Sequence, residues 1–249
     1  MTFLFKQTII KCSPEWVRRR AVLRFIPVMA KALSPELPRD GRRKKMGDLF
    51  DLGHVAQLHE IQTARLRNSE PGIGHELDFP SFEKYLATIP KIPPQLRLPD
   101  KDFPLLVLVE SRLPLKRLCA CGNIDFDGSD KTFELWNALH SNPEVPFWIR
   151  MQDGRQNRNR SVVDCRHNFA KNELGLTVLE AVSAYIQYPE VVSDTTRRDG
   201  HVMDLPGSVR RKQREDVACL RVISGRTVLD WRWGGSALPN HGSASCRKF

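Results

Sequence analysis

Five prolines between residues 90 and 104 (Pro90, Pro93, Pro94, Pro99 and Pro104) set the first limit on what this chain can form. Each lacks the amide donor that a helix or a central strand needs, and each fixes φ near the extended region. The stretch therefore reads as an extended connector or a second boundary. Before it, Leu52, Val55, Leu58 and Ile61 recur every three residues through Gly47–Arg67, close to the period of an amphipathic helix. Asp78-Phe79-Pro80 then opens another helix, with Phe82, Tyr85, Leu86 and Ile89 on one side. After it, Leu105–Glu110 is an apolar run flanked by breakers, the pattern of a buried strand.

The remaining segments are read in the same way. Ser129–Ser141 predicts a capped helix carrying Phe133, Trp136 and Leu139, and Phe147–Gln152 a strand that ends at Asp153-Gly154. A polar loop follows, then a helix from Ser161 that buries Val162, Cys165 and Phe169. Thr177 and Glu180 have capping-box spacing, in which the threonine oxygen and the glutamate carboxylate satisfy orphan amides of a helix running to Tyr188. Asp204-Leu205-Pro206-Gly207-Ser208 suggests a turn that displays Asp204 and Ser208. Val217–Ile223 and Thr227–Trp233 predict a β-hairpin across Ser224-Gly225-Arg226, with Leu229, Trp231 and Trp233 on one face of its second strand and Asp230 and Arg232 on the other. The fold class expected is α/β or α+β: a helical N-terminal arm and helix-rich first half, then a mixed sheet with a C-terminal β-hairpin.

Charge divides the chain differently. Twelve of its 39 Lys/Arg and three of its 29 Asp/Glu lie in residues 1–45, leaving 27 basic and 26 acidic groups elsewhere. Nearly all of the net charge of +10 is therefore carried by an arm. This arm reads as a helix opening at Ser13-Pro14, kinked at Pro27 and followed by linker composition to Lys45. The expected organisation is a basic helical arm and linker at 1–45 and a globular domain at 46–249, with the connector at 90–104 inside it. The charge break falls on Met46, which makes that residue a candidate translation start with 1–45 as an upstream extension; an intact mass beginning at Met1 excludes this. No apolar run approaches the ~20 residues that cross a bilayer, and the first residues lack the pattern of a secretory signal. Six scattered cysteines are sparse for a disulfide scaffold. The expectation is a soluble cytoplasmic protein with reduced thiols and no membrane partner; the oligomeric state is not legible.

One series of segments is familiar in wording. Phe147-Trp148-Ile149-Arg150, Gln152-Asp153-Gly154-Arg155, Asn157-Arg158, Cys165-Arg166 and Glu173-Leu174-Gly175-Leu176-Thr177 follow one another. Asp204–Ser208, Asp230-Trp231-Arg232-Trp233 and Gly242-Ser243-Ala244-Ser245 complete it. In this order the segments resemble an uncharacterised bacterial protein family of unknown function, over about residues 46–246 and most strongly in 146–245. The resemblance implies a bacterial cytoplasmic protein and brings no activity, cofactor or catalytic residue with it. The arm before Met46 is not part of the pattern.

Two groups of residues carry candidate chemistry. In the arm, Arg18, Arg19, Arg20, Arg24, Arg42, Arg43, Lys44 and Lys45 suit phosphate neutralisation, and Trp16 and Phe25 lie between them. The lead expectation is accordingly a non-enzymatic protein that contacts RNA or DNA nonspecifically through the arm and an Arg-rich loop. That loop is the second group. It leaves a strand and enters a helix, and Asp153, Arg155, Arg158, Arg160 and Arg166 are its candidate anion-binding residues, assisted by amides at the helix start. The alternatives are an enzyme or small-ligand binder for an anionic substrate at 153–167, and an interaction module without ligand chemistry. No Walker A, G-x-G-x-x-G, G-x-S-x-G or H-E-x-x-H pattern occurs, so no catalytic residue is assigned and no cofactor is expected. Cys119-Ala120-Cys121 lacks the second ligand pair of a structural zinc site, so no metal is expected either.

Overall fold

The structure is a computed structural model that describes residues 52–67 and 73–247. The described residues all belong to one compact unit, Gly47–Phe249. The predicted helical arm, with Arg18, Arg19, Arg20, Arg24, Arg42, Arg43, Lys44 and Lys45, lies outside the described residues.

The architecture is α+β, with its sequence-distant strands gathered into two sheets. Helices α1 (Leu52–Arg67), α2 (Ile73–Glu76), α3 (Phe82–Leu86) and α4 (Pro94–Arg97) precede strand β1 (Leu105–Val109). Helix α5 (Leu115–Cys121) leads to β2 (Ile124–Asp125), β3 (Phe133–Leu135) and β4 (Phe147–Gln152). Helix α6 (Val162–Asn168), β5 (Leu174–Gly175) and α7 (Val178–Gln187) follow, then β6 (Val202–Arg210), β7 (Gln213–Ile223), β8 (Arg226–Trp233), β9 (His241–Ser243) and β10 (Ser245–Arg247). One sheet has the order β1-β4-β10-β5; the other runs β2-β8-β7-β6-β3, with β9 parallel to β6. The chain passes from one sheet to the other at Ala244, a single buried residue between β9 and β10. Among the described residues no helix is long and apolar enough to cross a membrane.

Helix α7 is the hub. Its capping box is complete: Thr177 Oγ1 accepts from the Glu180 amide, and the Glu180 carboxylate accepts from the Thr177 amide. It is buried on most of its surface, so two polar side chains on it must find partners. Gln187 finds them on β1, accepting from the Leu108 amide (3.1 Å) and donating to the Leu108 carbonyl (2.7 Å). Because β1 is the end strand of its sheet, Gln187 bonds the backbone of a residue that a further strand would otherwise pair. Ser183 accepts from the Glu110 amide. The Glu110 carboxylate, fully buried just past β1, takes the Tyr85 hydroxyl (2.8 Å) and the Arg112 guanidinium, so its charge is compensated.

The proline connector is not extended throughout, because Pro94 sits at the first helical position, where its missing amide costs nothing, and opens the short helix α4; the connector is pinned to β4. Arg150, buried, donates to the carbonyls of Leu96 (3.0 Å) and Pro104 (3.1 Å), and Trp148 Nε1 donates to Pro90 O (2.7 Å). The prolines thus supply carbonyl acceptors to a strand they could not join.

Two predicted elements are corrected. Ser129–Ser141 is not a helix: Phe133–Leu135 pairs antiparallel with β6 as an edge strand, and Leu139 is 72% exposed. The spacing of Phe133, Trp136 and Leu139 only coincides with a helical period; Phe133 alone packs into the main core. Asp204–Ser208 is not a displayed turn but part of β6, and both Asp204 and Ser208 are buried. Pro206 is accommodated because the β6–β7 register shifts between Leu205 and Val209, which takes it out of the ladder. The α1 helix is present, yet Ile61 is 40% exposed while Gln62 and Thr63 are buried. The predicted hairpin is present as β7 and β8. Its loop is Ser224-Gly225, with φ of 50° and 77°, the two positive angles that a two-residue hairpin turn of the right twist requires.

Candidate functional site

Leaving β4, the chain turns at Gly154, whose φ is +93°. A side chain there would lie 2.2 Å from the Gly242 carbonyl, and one at Gly242 would lie 2.1 Å from the Gly154 carbonyl. Two backbones therefore cross at closest approach, which only glycine on both sides permits. Around this crossing the loop is bonded outward through Asn157, Arg155 and Arg158. Asn157 donates to Ser243 O (2.8 Å), and Gln152 donates to Ser243 O and Ser245 Oγ. Arg155 pairs with Asp153 and reaches Glu190 O (2.9 Å). Arg158 donates to Gly200 O (3.0 Å), Asp199 O (3.3 Å) and His201 Nδ1 (3.3 Å).

His201 is held between opposite hydrogen-bonding demands. Its Nδ1 accepts from Arg158, so its Nε2 carries the proton and donates to Asp153 O (2.8 Å). Burial, with Arg155 and Arg158 alongside, pushes its pKa down to about 3, so the ring is neutral across the ordinary pH range.

Asp153, Arg155 and Arg158 are thus brought together, but as a strap tied to residues 190–201 and 241–243. Arg160 is exposed. The helix-start amides expected to receive an anion are already engaged: those of Val162 (2.9 Å) and Val163 (3.4 Å) reach Gly234 O, and that of Asp164 reaches the capping Ser161 Oγ (3.0 Å).

Arg166 is placed apart from these four. It stands in the last turn of α6 and donates twice to Pro206 O (2.9 and 2.6 Å), the carbonyl released by the β6 irregularity. Its guanidinium carbon lies 3.9 Å from the centroid of the Trp136 indole, a cation–π distance. Among the described residues no carboxylate pairs with it. Burial, then the nearby Arg214, lower its pKa to about 10. It lines a cavity of about 210 Å³ together with Trp136, Asn137, His140, Lys171 and Glu173. The Glu173 carboxylate is engaged, accepting from Ser245 Oγ (2.5 Å) and the Ala170 amide (3.1 Å). Leu139 and Leu174 line both this cavity and a second one of about 460 Å³, walled by prolines, Phe147 and Trp148.

A third arrangement was not anticipated from sequence. The fully buried Asp204 accepts from Arg232 Nε (2.8 Å) and Nη2 (2.5 Å) and from His241 Nδ1 (2.9 Å). Burial alone would raise its pKa, but the bonds from Arg232 and His241 outweigh it and hold the carboxyl below its usual range. Arg232 also donates to Trp233 O and Ser236 O, so the centre fastens the chain that leaves β8. With Nδ1 bound to Asp204, His241 has the orientation of a carboxylate-held histidine. Among the described residues no hydroxyl or thiol is hydrogen-bonded to its Nε2, so no nucleophile is assembled there. Trp231, on the strand face expected to carry Leu229 and Trp233 with it, packs against the core and meets Phe133 edge-on at 6.4 Å, whereas Trp233 is 57% exposed.

Comparison of the chain with protein-family models, curated proteins and solved structures finds no match. The functional reading therefore stands on these geometries.

Proposed function

We propose that the protein binds a small anionic ligand, with Arg166 as the group that receives the negative charge. The observation that carries this is a guanidinium backed by an indole, lining a cavity, with no carboxylate paired to it among the described residues. A partly buried cation is ordinarily paired, because removal from water penalises the charged form. Arginine's planar fork also suits a carboxylate or phosphate better than any other side chain. Arg155 is paired with Asp153 and Arg158 is spent on the strap, whereas Arg166, held from one side by the Pro206 carbonyl, also lines a cavity, so the anion reading narrows from the whole loop to Arg166, with Lys171 beside it.

The test is titration of the ¹⁵N-labelled protein with inorganic phosphate and with acetate. Shifts should centre on Arg166, Trp136 and Lys171 and vanish in Arg166→Ala, while Arg160→Ala retains them. Shifts spread evenly over surface lysines and arginines would refute a discrete site.

A second reading, nonspecific contact with RNA or DNA, is favoured by the concentration of charge in residues 1–45. Fluorescence anisotropy of a labelled RNA should show steeply salt-dependent binding that is lost when Arg18, Arg19, Arg20 and Arg24 are changed together to Gln. Binding that survives this change removes those arginines from the interface.

A further inference from the structure

We infer that the ligand is amphipathic: a carboxylate whose charge meets Arg166 and whose apolar body crosses Leu139 and Leu174 into the cavity between the connector and β4. This rests on the reading of Arg166 as the anion partner. The two cavities are neighbours by construction, since Leu139 and Leu174 belong to the walls of both. Their chemistry differs. The smaller holds Arg166 and Lys171 against one acid, Glu173, whose oxygens are already engaged. The larger is walled by Pro90, Pro93, Pro143, Pro146, Phe147 and Trp148, with Lys91 as its charged member.

At about 460 Å³ the larger cavity is in the range that holds small organic molecules. Its walls are stiff, because proline φ is fixed and Trp148 is anchored through Nε1 to Pro90 O. That anchoring also consumes the indole's only donor, leaving an apolar surface. Little ordering is then needed on binding, which favours occupancy by an apolar chain or ring. At the junction Leu139 is 72% exposed, an apolar side chain standing between two concave surfaces. Both lysines and the arginine give the combined cleft a positive lining, which selects a carboxylate over an amine of the same shape.

The probes are octanoate, acetate and octylammonium, titrated calorimetrically into the full chain. A methylene half-buried in an open cleft is worth about a twofold gain in affinity, so six should make octanoate about sixtyfold tighter than acetate. Octylammonium should bind at least about tenfold more weakly than octanoate, and Arg166→Gln should reduce octanoate affinity about tenfold. If octanoate is no tighter than acetate while acetate still depends on Arg166, the apolar extension is overturned and the anion reading survives. Octylammonium equal to octanoate, with no effect of Arg166→Gln, would overturn both. Should that variant fail to fold, judged by near-ultraviolet circular dichroism, the ranking of the three probes on the natural chain decides.

Discussion

Replacing Asp204 by Asn should be among the most damaging single changes outside the apolar core. The carboxylate has no exposure and receives three charge-assisted hydrogen bonds, two from Arg232 and one from His241. An amide keeps one acceptor oxygen and turns an N–H donor toward another donor. Arg232, whose side chain is 12% exposed, also loses its counter-charge. Breaking a buried pair by removing one partner costs about 3–5 kcal/mol. Bond counting gives part of this: the amide oxygen in the Oδ1 position keeps the bonds from Arg232 Nε and His241 without their charge assistance, while the bond from Arg232 Nη2, worth about 1.5–3 kcal/mol, is lost outright. With a urea m-value of about 2 kcal/mol/M, a loss of 4 kcal/mol moves the unfolding midpoint down by about 2 M at pH 7. The sign with pH follows from the depressed carboxyl. Its stabilisation is fully present above the unfolded-state pKa of about 3.9 and drains as pH falls through the folded value. The gap between natural chain and variant should therefore narrow in strong acid. The double change Asp204→Leu with Arg232→Met removes both charges and should recover much of the loss. A midpoint shift below about 0.5 M for Asp204→Asn would refute the reasoning, because the centre would then contribute less than about 1 kcal/mol.

Three further outcomes are expected. His201, with a folded pKa of about 3, stays neutral where the unfolded chain takes up a proton; stability should fall below pH 6.5, by about 2 kcal/mol at pH 5, and His201→Gln should flatten that slope in chemical unfolding curves. Arg112→Ala leaves the buried Glu110 with the Tyr85 hydroxyl and the residue-112 amide but no cation and should cost about 3–5 kcal/mol by the same assay; a loss under about 1 kcal/mol would show that the guanidinium is not what holds this carboxylate in the interior. Gly242→Ala places a methyl 2.1 Å from the Gly154 carbonyl, so the crossing must open, and a thermal shift of only one or two degrees would mean that the strap moves freely.

What was legible in the sequence is what short-range interactions control. The α7 capping box closes between residues three apart, and Ser161 caps α6 over the same distance. The β1 and β4 strands announce themselves through apolar runs bounded by breakers, and the β7–β8 hairpin through its turn. The misread elements depend on distant partners. Phe133–Leu135 is a strand only because the edge of β6 is there to receive it. Val202–Arg210 was obscured by Pro206-Gly207, a turn signal in isolation, which the sheet absorbs as an irregularity.

The same division holds for the candidate site. Residue types and local spacing single out Arg155, Arg158, Arg160 and Arg166 together as a basic loop. They leave undecided which of these guanidiniums find internal acceptors. The tertiary structure brings Glu190, Asp199, Gly200 and His201 against the first two, and among the described residues it sets Trp136 and the Pro206 carbonyl, but no carboxylate, against Arg166. Asp204, Arg232 and His241 likewise lie in three separate segments, and no local rule pairs them. Helix caps, turns and apolar runs arise within a few residues of chain. The pairing of a buried charge, and the placing of another beside a cavity with a carbonyl instead of a carboxylate as its acceptor, arise where remote segments displace water together.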